Sequence, residues 1–145
     1  MSASAPSFPG ECHCGSIGYS FQTRTPPEQW TLRACQCRFC RAHAVVTTSD
    51  PEGVLQFITR DAHALNRYRF GLHTADFLLC RNCGVYIGAM MQSAQGRFGI
   101  VNVHALREPV IALSASSPRD YGAEDANQRT GRRELQWTPV VGAER

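Results

Sequence analysis

Seven cysteines stand in three groups: Cys12 and Cys14, then Cys35, Cys37 and Cys40, then Cys80 and Cys83. Cysteines in C-x-C or C-x-x-C pairs can bring two thiolates to one ion from a single tight turn, so this spacing predicts zinc. Joining Cys12 and Cys14 to Cys80 and Cys83 completes a closed, structural four-thiolate site. It is the partition that leaves no orphan thiolate, and other partitions stay open on spacing alone. The triplet Cys35, Cys37 and Cys40 then holds a second zinc with one coordination position free, which is where catalysis or ligand exchange takes place.

Charge narrows the chemistry of an open three-cysteine site. Three thiolates overcompensate Zn2+ and leave a net charge of about -1, so the ion is a weaker Lewis acid than one held by neutral imidazoles. Such a site suits the binding and exchange of a fourth sulfur ligand better than the generation of hydroxide. Arg38 and Arg41 flank the last cysteine of the triplet; they could offset the added negative charge or pair with carboxylates on the carrier of the thiol, with a solvated surface role as the alternative. His43 is the nearest candidate for a fourth ligand. It also opens a β-branched run, where it reads as an ordinary strand residue, and ligation by it would close the site.

Short elements must position these groups. Ile17, Tyr19 and Phe21 alternate with small or polar residues, as do Phe77 and Leu79, then Val85, Ile87, Ala89 and Met91, the period of half-buried strands. Residues 43–48, 54–59, 65–70 and 98–103 are further strand candidates, with Asp50-Pro51-Glu52-Gly53 as a turn. The pattern predicts an all-β, antiparallel domain. In both Cys12-His13-Cys14-Gly15 and Cys80-Arg81-Asn82-Cys83-Gly84 a glycine follows the second cysteine, where positive φ lets backbone N-H groups point at sulfur. Residues 1–9 read as a flexible leader, 10–115 as the zinc-binding domain and 116–145 as a C-terminal extension. Within the extension residues 123–135 could form a short helix, and Trp137, Val140 and Val141 would dock back on the body.

The chain has 145 residues, enough for one domain. An odd cysteine count, tight metal-type spacings and no apolar signal segment argue against a disulfide framework and for a reducing, cytoplasmic setting. No stretch approaches transmembrane length. All fifteen basic residues are Arg, yet the net charge is only +3 and Arg132-Arg133 is the one adjacent pair, so no nucleic-acid stripe is evident.

The motifs Cys12-His13-Cys14-Gly15, Cys35-x-Cys37-x-x-Cys40-Arg41 and Phe77-Leu78-Leu79-Cys80-Arg81-Asn82-Cys83-Gly84-Val85 together resemble the glutathione-dependent formaldehyde-activating enzyme family. Tyr68-Arg69-Phe70-Gly71 ahead of the last knuckle is similar to its centromere-protein-V-like branch. The resemblance spans residues 10–106. It implies a β-tent fold, a structural zinc on Cys12, Cys14, Cys80 and Cys83, a catalytic zinc on Cys35, Cys37 and Cys40, and glutathione near the second zinc. It also implies a carbon-sulfur lyase reaction that joins glutathione to formaldehyde or reverses that step. Many members carry a small polar residue such as Ser where this chain has Arg38, which alters the expected pocket. The expected partner is thus a small-molecule thiol such as glutathione, with a non-catalytic thiol-binding or protein-interaction module as the alternative.

Overall fold

The computed structural model describes residues 5–108 and 116–142. In strand β2 (Ile17–Gln22) the side chains of Ile17, Tyr19 and Phe21 are all fully buried, because a period of two puts them on one face. β2 lies between β1 (Ser7–Glu11) and β5 (Val54–Thr59) in a three-stranded antiparallel sheet. β1 starts at Ser7, inside the stretch expected to be a leader. Phe8 anchors it edge-on against Trp30, with ring centroids 4.9 Å apart. Residues 1–4 of that stretch lie outside the described residues.

The second sheet runs in the order β10 (Ser117–Arg119), β3 (Arg33–Cys35), β4 (Thr47–Thr48), β9 (Gly96–Asn102), β8 (Tyr86–Ser93), β7 (Asp76–Cys80) and β6 (Leu65–Tyr68). β11 (Thr138–Pro139) pairs with the first half of β9, beside β4 on the second half. Among the described strands every pairing is antiparallel except β10 with β3, which is parallel, and Val140 adds an isolated parallel bridge to Leu55. The all-β expectation therefore holds as a mostly antiparallel β-tent with a short C-terminal helix, α2 (Ala126–Gln136). The extension does more than pack on the body, since β10 and β11 are strands of the main sheet.

The main core lies between the sheets, where Ile17, Tyr19, Phe21 and Leu55 meet Leu78, Ile87 and Val101. A second cluster covers the opposite face of β8 and β9, where Ala89 and Met91 pack with Trp137. β8 is thus buried on both faces. The ladder between β7 and β8 slips so that Leu78 opposes Gly88 while Leu79 opposes Tyr86, leaving Ile87 as the extra residue of a β-bulge. The bulge keeps Ile87 in the inter-sheet core and places Tyr86 in a third cluster with Cys40 and Val45.

The strand expected over residues 43–48 changes. Residues 43–48 do not form one strand, since only Thr47–Thr48 pair and His43 caps a one-turn helix, α1 (Arg38–Ala42). The helix forms because the triplet itself wraps a turn: Cys37 caps it by accepting the Cys40 N-H at 3.4 Å. It ends in a Schellman arrangement, with Ala44 N-H bonding Arg41 O at 3.1 Å and Val45 N-H bonding Cys40 O at 3.0 Å. Ala44 holds the left-handed position at φ 50°. The C-terminal docking expected of Trp137 and Val140 is present, whereas the Val141 side chain stays exposed while its N-H bonds Leu55 O.

Gly88 marks how closely the sheets approach. A Cβ there would stand 2.4 Å from Ile100 O and 3.2 Å from the Phe57 ring. Gly88→Ala is expected to destabilise the fold by about 1–3 kcal/mol, the scale of overpacking a filled core. Urea unfolding checks this, and an unchanged midpoint would show that β8 and β9 can separate at no cost.

Candidate metal centres

Each of the two knuckles is the turn of a hairpin. Cys12-His13-Cys14-Gly15 joins β1 to β2, and Cys80-Arg81-Asn82-Cys83-Gly84 joins β7 to β8. They share one closing bond despite unequal cysteine spacing: Cys12 N-H to Ile17 O and Cys80 N-H to Val85 O, both 2.9 Å. Gly15 and Gly84 both adopt φ 82°, as their position after the second cysteine requires. The Ile17 and Cys83 N-H groups then donate to Cys12 Sγ and Cys80 Sγ at 3.4 Å.

The two turns meet. The sulfurs of Cys12, Cys14, Cys80 and Cys83 all lie within 4.8 Å of one another, with Cys12–Cys14 at 3.8 Å and Cys14–Cys80 at 3.6 Å. Four sulfurs on a tetrahedral zinc stand about 3.8 Å apart, as Zn–S bonds of about 2.3 Å dictate, so these residues fit the ion. Burial foremost raises Cys80 to about 12. Cys83 is drawn down to about 6 although burial, the largest effect on it, acts the other way; backbone hydrogen bonds at Cys14 and Val85 outweigh it. Several coupled protons are therefore shared among the four sulfurs until a cation replaces them.

Cys35, Cys37 and Cys40 form the second cluster, also within 4.8 Å. Cys35 ends β3, Cys37 caps α1 and Cys40 lies in its turn. The Cys40 hydrogen bond holds Cys35 down to about 6, and the same bond together with burial pushes Cys40 up. His43 is not part of this cluster. Its exposed ring lies tilted against Phe39, with centroids 4.6 Å apart, and among the described residues the triplet has no fourth protein ligand.

The triplet opens into a cavity of about 150 Å3 whose apolar wall includes Phe70, Phe77, Ile100 and Trp137. Its basic wall is not the expected one. Arg38 and Arg41 are exposed on α1 and do not line the cavity; Arg33 from β3 and Arg129, Arg132 and Arg133 from α2 do. The i, i+3, i+4 spacing puts those three on one face of α2, which Asp125 and Gln128 start with a capping box. Glu124 takes both Arg132, at 2.8 and 3.0 Å, and Arg129, at 3.4 Å. Arg133 is buried, lies 4.6 Å over the Trp137 ring and donates to Thr74 Oγ1 at 2.8 Å. Burial, foremost, lowers it to about 10.

Two buried side-chain atoms have no hydrogen-bond partner among the described residues, Arg133 Nε and the Tyr86 hydroxyl. Burial and then the charges of Cys40, Cys35 and Cys37 push Tyr86 well above the ordinary tyrosine range. Both unsatisfied atoms therefore belong to the surroundings of the triplet. The Arg132-Arg133 pair was the available signal for this wall, but only the fold shows that it reaches the cysteines. A larger cavity of about 230 Å3 between the sheets, lined by Phe57, Leu65, Ile87 and Met90, has no cysteine in its lining.

Alkylation of metal-free protein checks the proton sharing. Reaction with iodoacetamide follows the thiolate fraction, so labelling at Cys35 and Cys83 should rise as pH increases through about 6 and level off above it. At neutral pH peptide mapping should find these two labelled ahead of Cys40 and Cys80; the reverse order would show that the thiolates sit elsewhere. Metal content separates the roles of the clusters. Cys37→Ser should remove one zinc of two and keep the fold, whereas Cys80→Ser should lower the thermal midpoint by roughly 10 °C or more, as loss of several kcal/mol does in a domain of this size.

Among solved structures, the chain is similar to the crystal structure of a Rhodobacter sphaeroides protein, a Northeast Structural Genomics target, with a TM-score of 0.56 and 27% sequence identity. The match covers 76% of this chain and 97% of that one. No protein-family model matches the chain, and no curated protein matches it.

Proposed function

We propose that the protein is a zinc-dependent carbon-sulfur lyase or synthase that acts on the adduct of a small thiol with a small aldehyde, with glutathione and formaldehyde as the first pair to try. The observation that carries this reading is the Cys35, Cys37 and Cys40 cluster, which fits a cation, lacks a fourth protein ligand among the described residues and opens into a cavity. The motif resemblance to the glutathione-dependent formaldehyde-activating enzymes points the same way. Zinc bound there supplies a soft position that accepts a thiolate sulfur and favours its deprotonation at neutral pH.

The chain's own residues orient and shield the reactants. Phe70, Phe77, Ile100 and Trp137 keep water from the sulfur side of the cavity, and the arginine wall offsets the charge of three cysteine thiolates and an incoming fourth. Carbon-sulfur bond formation moves the carbonyl π pair onto oxygen, which takes a proton from solvent; cleavage reverses each movement. Because thiol addition to formaldehyde is intrinsically easy, the gain comes from concentrating and orienting the two reactants. A thiol carrier without turnover uses the same cavity. No helix among the described residues is long and apolar enough to cross a membrane, and a cytoplasmic location belongs to this proposal.

Kinetics decide between enzyme and carrier. Zinc-loaded protein should accelerate formation or cleavage of S-(hydroxymethyl)glutathione beyond the spontaneous rate, and Cys37→Ala should abolish the gain while leaving the circular dichroism spectrum unchanged. Identical rates for wild type, variant and buffer would remove the enzyme reading for this substrate.

A further inference from the structure

We propose that the cavity beside Cys35, Cys37 and Cys40 is built for a short thiol that carries its own carboxylate, received by Arg133 and Arg33. This rests on reading the triplet as a thiol site and specifies which thiol it takes. Three observations carry it: one cation buried with an unused donor, a second cation without a carboxylate partner, and the size of the space they share with the sulfurs.

Arg133 is only 6% exposed. Thr74 and the Trp137 ring fix its guanidinium on two sides, while Nε is buried without a partner. A guanidinium held in this way is costly unless an anion completes it, and a carboxylate is the planar acceptor that matches its edge. Arg33 lines the same cavity. Its Nη1 donates to Ser49 Oγ at 3.0 Å, Ser49 is held in turn by Gln136 O at 2.6 Å, and no carboxylate forms a salt bridge with Arg33 among the described residues. Arg129 and Arg132 already share Glu124, so Arg133 and Arg33 are the two cations of the lining left to meet a ligand.

Size sets the distance between sulfur and carboxylate. The cavity of about 150 Å3 is half the lower end of the usual ligand pocket, about 300–1,000 Å3. A mercaptoalkanoate or a cysteine-sized thiol places both groups within it. A tripeptide thiol, whose carboxylates stand at its far ends, extends beyond it toward solvent and places them away from Arg133 and Arg33.

Calorimetric titration of the zinc-loaded protein with 3-mercaptopropionate, 2-mercaptoethanol and glutathione, with no aldehyde present, tests this apart from turnover. 3-Mercaptopropionate should bind about tenfold tighter than 2-mercaptoethanol, the factor expected of a charge-assisted hydrogen bond. Arg133→Gln and Arg33→Gln should each shrink that ratio severalfold with zinc content unchanged, because the lost charge weakens both thiols alike while the carboxylate's partner is lost to 3-mercaptopropionate alone. Should Arg133→Gln fail to fold, Arg33→Gln alone decides. Equal affinity for the two small thiols, tighter binding of glutathione than of 3-mercaptopropionate, or an undiminished ratio in the folded variants overturns the proposal and leaves the thiol site standing. Absence of binding by all three thiols overturns both.

Discussion

Four sulfurs at two hairpin turns have to reach one point, and the main sheet, the core and the second cluster are all arranged around that demand. Cys12 and Cys14 belong to the turn of the smaller sheet, Cys80 and Cys83 to a turn of the larger one, and 66 residues separate Cys14 from Cys80. Cys12 and Cys80 are themselves members of the inter-sheet core, so the cluster terminates that core and pins the sheets together at one end. Few other features of the chain fix the two sheets so locally. Apolar contact is non-directional and tolerates sliding, whereas a tetrahedral thiolate site does not.

Once the sheets are pinned, the bulge at Ile87 decides what faces the triplet. Without the extra residue, Tyr86 would return to the core face and the wall behind Cys40 would be lost. Asn102 secures the result from β9, its side-chain Nδ2 donating to Tyr86 O at 2.8 Å while its Oδ1 accepts the His104 N-H at 3.1 Å. The outer face of the sheet is then closed by the C-terminal extension, whose β10 and β11 borrow edges of β3 and β9. An extension fixed at both ends by sheet pairing can carry α2 across the cavity and hold Arg133 inside it.

Most of this organisation was legible where its cause is local. Ligand spacing is a property of a few consecutive residues, so the cysteine grouping, the glycine after each pair and the strands beside them could be read from the chain. Most of the arginine wall could not, because Arg38 and Arg41 flank Cys40 in sequence and point away, Arg33 two residues ahead of Cys35 gives no sign of its role, and Arg129, Arg132 and Arg133 reach the triplet only through the extension, whose β10 pairs parallel to β3. The strand expected to begin at His43 failed for a related reason. Its β-branched run is real from Val45 onward, but the triplet ahead of it winds into a turn, and Ala44 adopts a left-handed conformation that no glycine announces.

The contrast between the two clusters follows from what holds their ligands. The four-cysteine cluster hangs from the ends of paired strands, so moving one sulfur means opening a ladder of backbone hydrogen bonds. The triplet sits on β3, three residues long, and on a helix of one turn ended by a residue at positive φ, a conformation that is unfavourable for alanine by about 1–2 kcal/mol. That loop is kept in place by Val45 packing on Cys40 and by the aromatic cluster of Phe39, Phe77 and Tyr86. A ligand set supported by side-chain packing can adjust when a fourth ligand arrives or leaves; one supported by sheet cannot. The looser support of the triplet thus suits the exchangeable position proposed for it, and the firmer support of the four-cysteine cluster, where the sheets are locked, suits a permanent one.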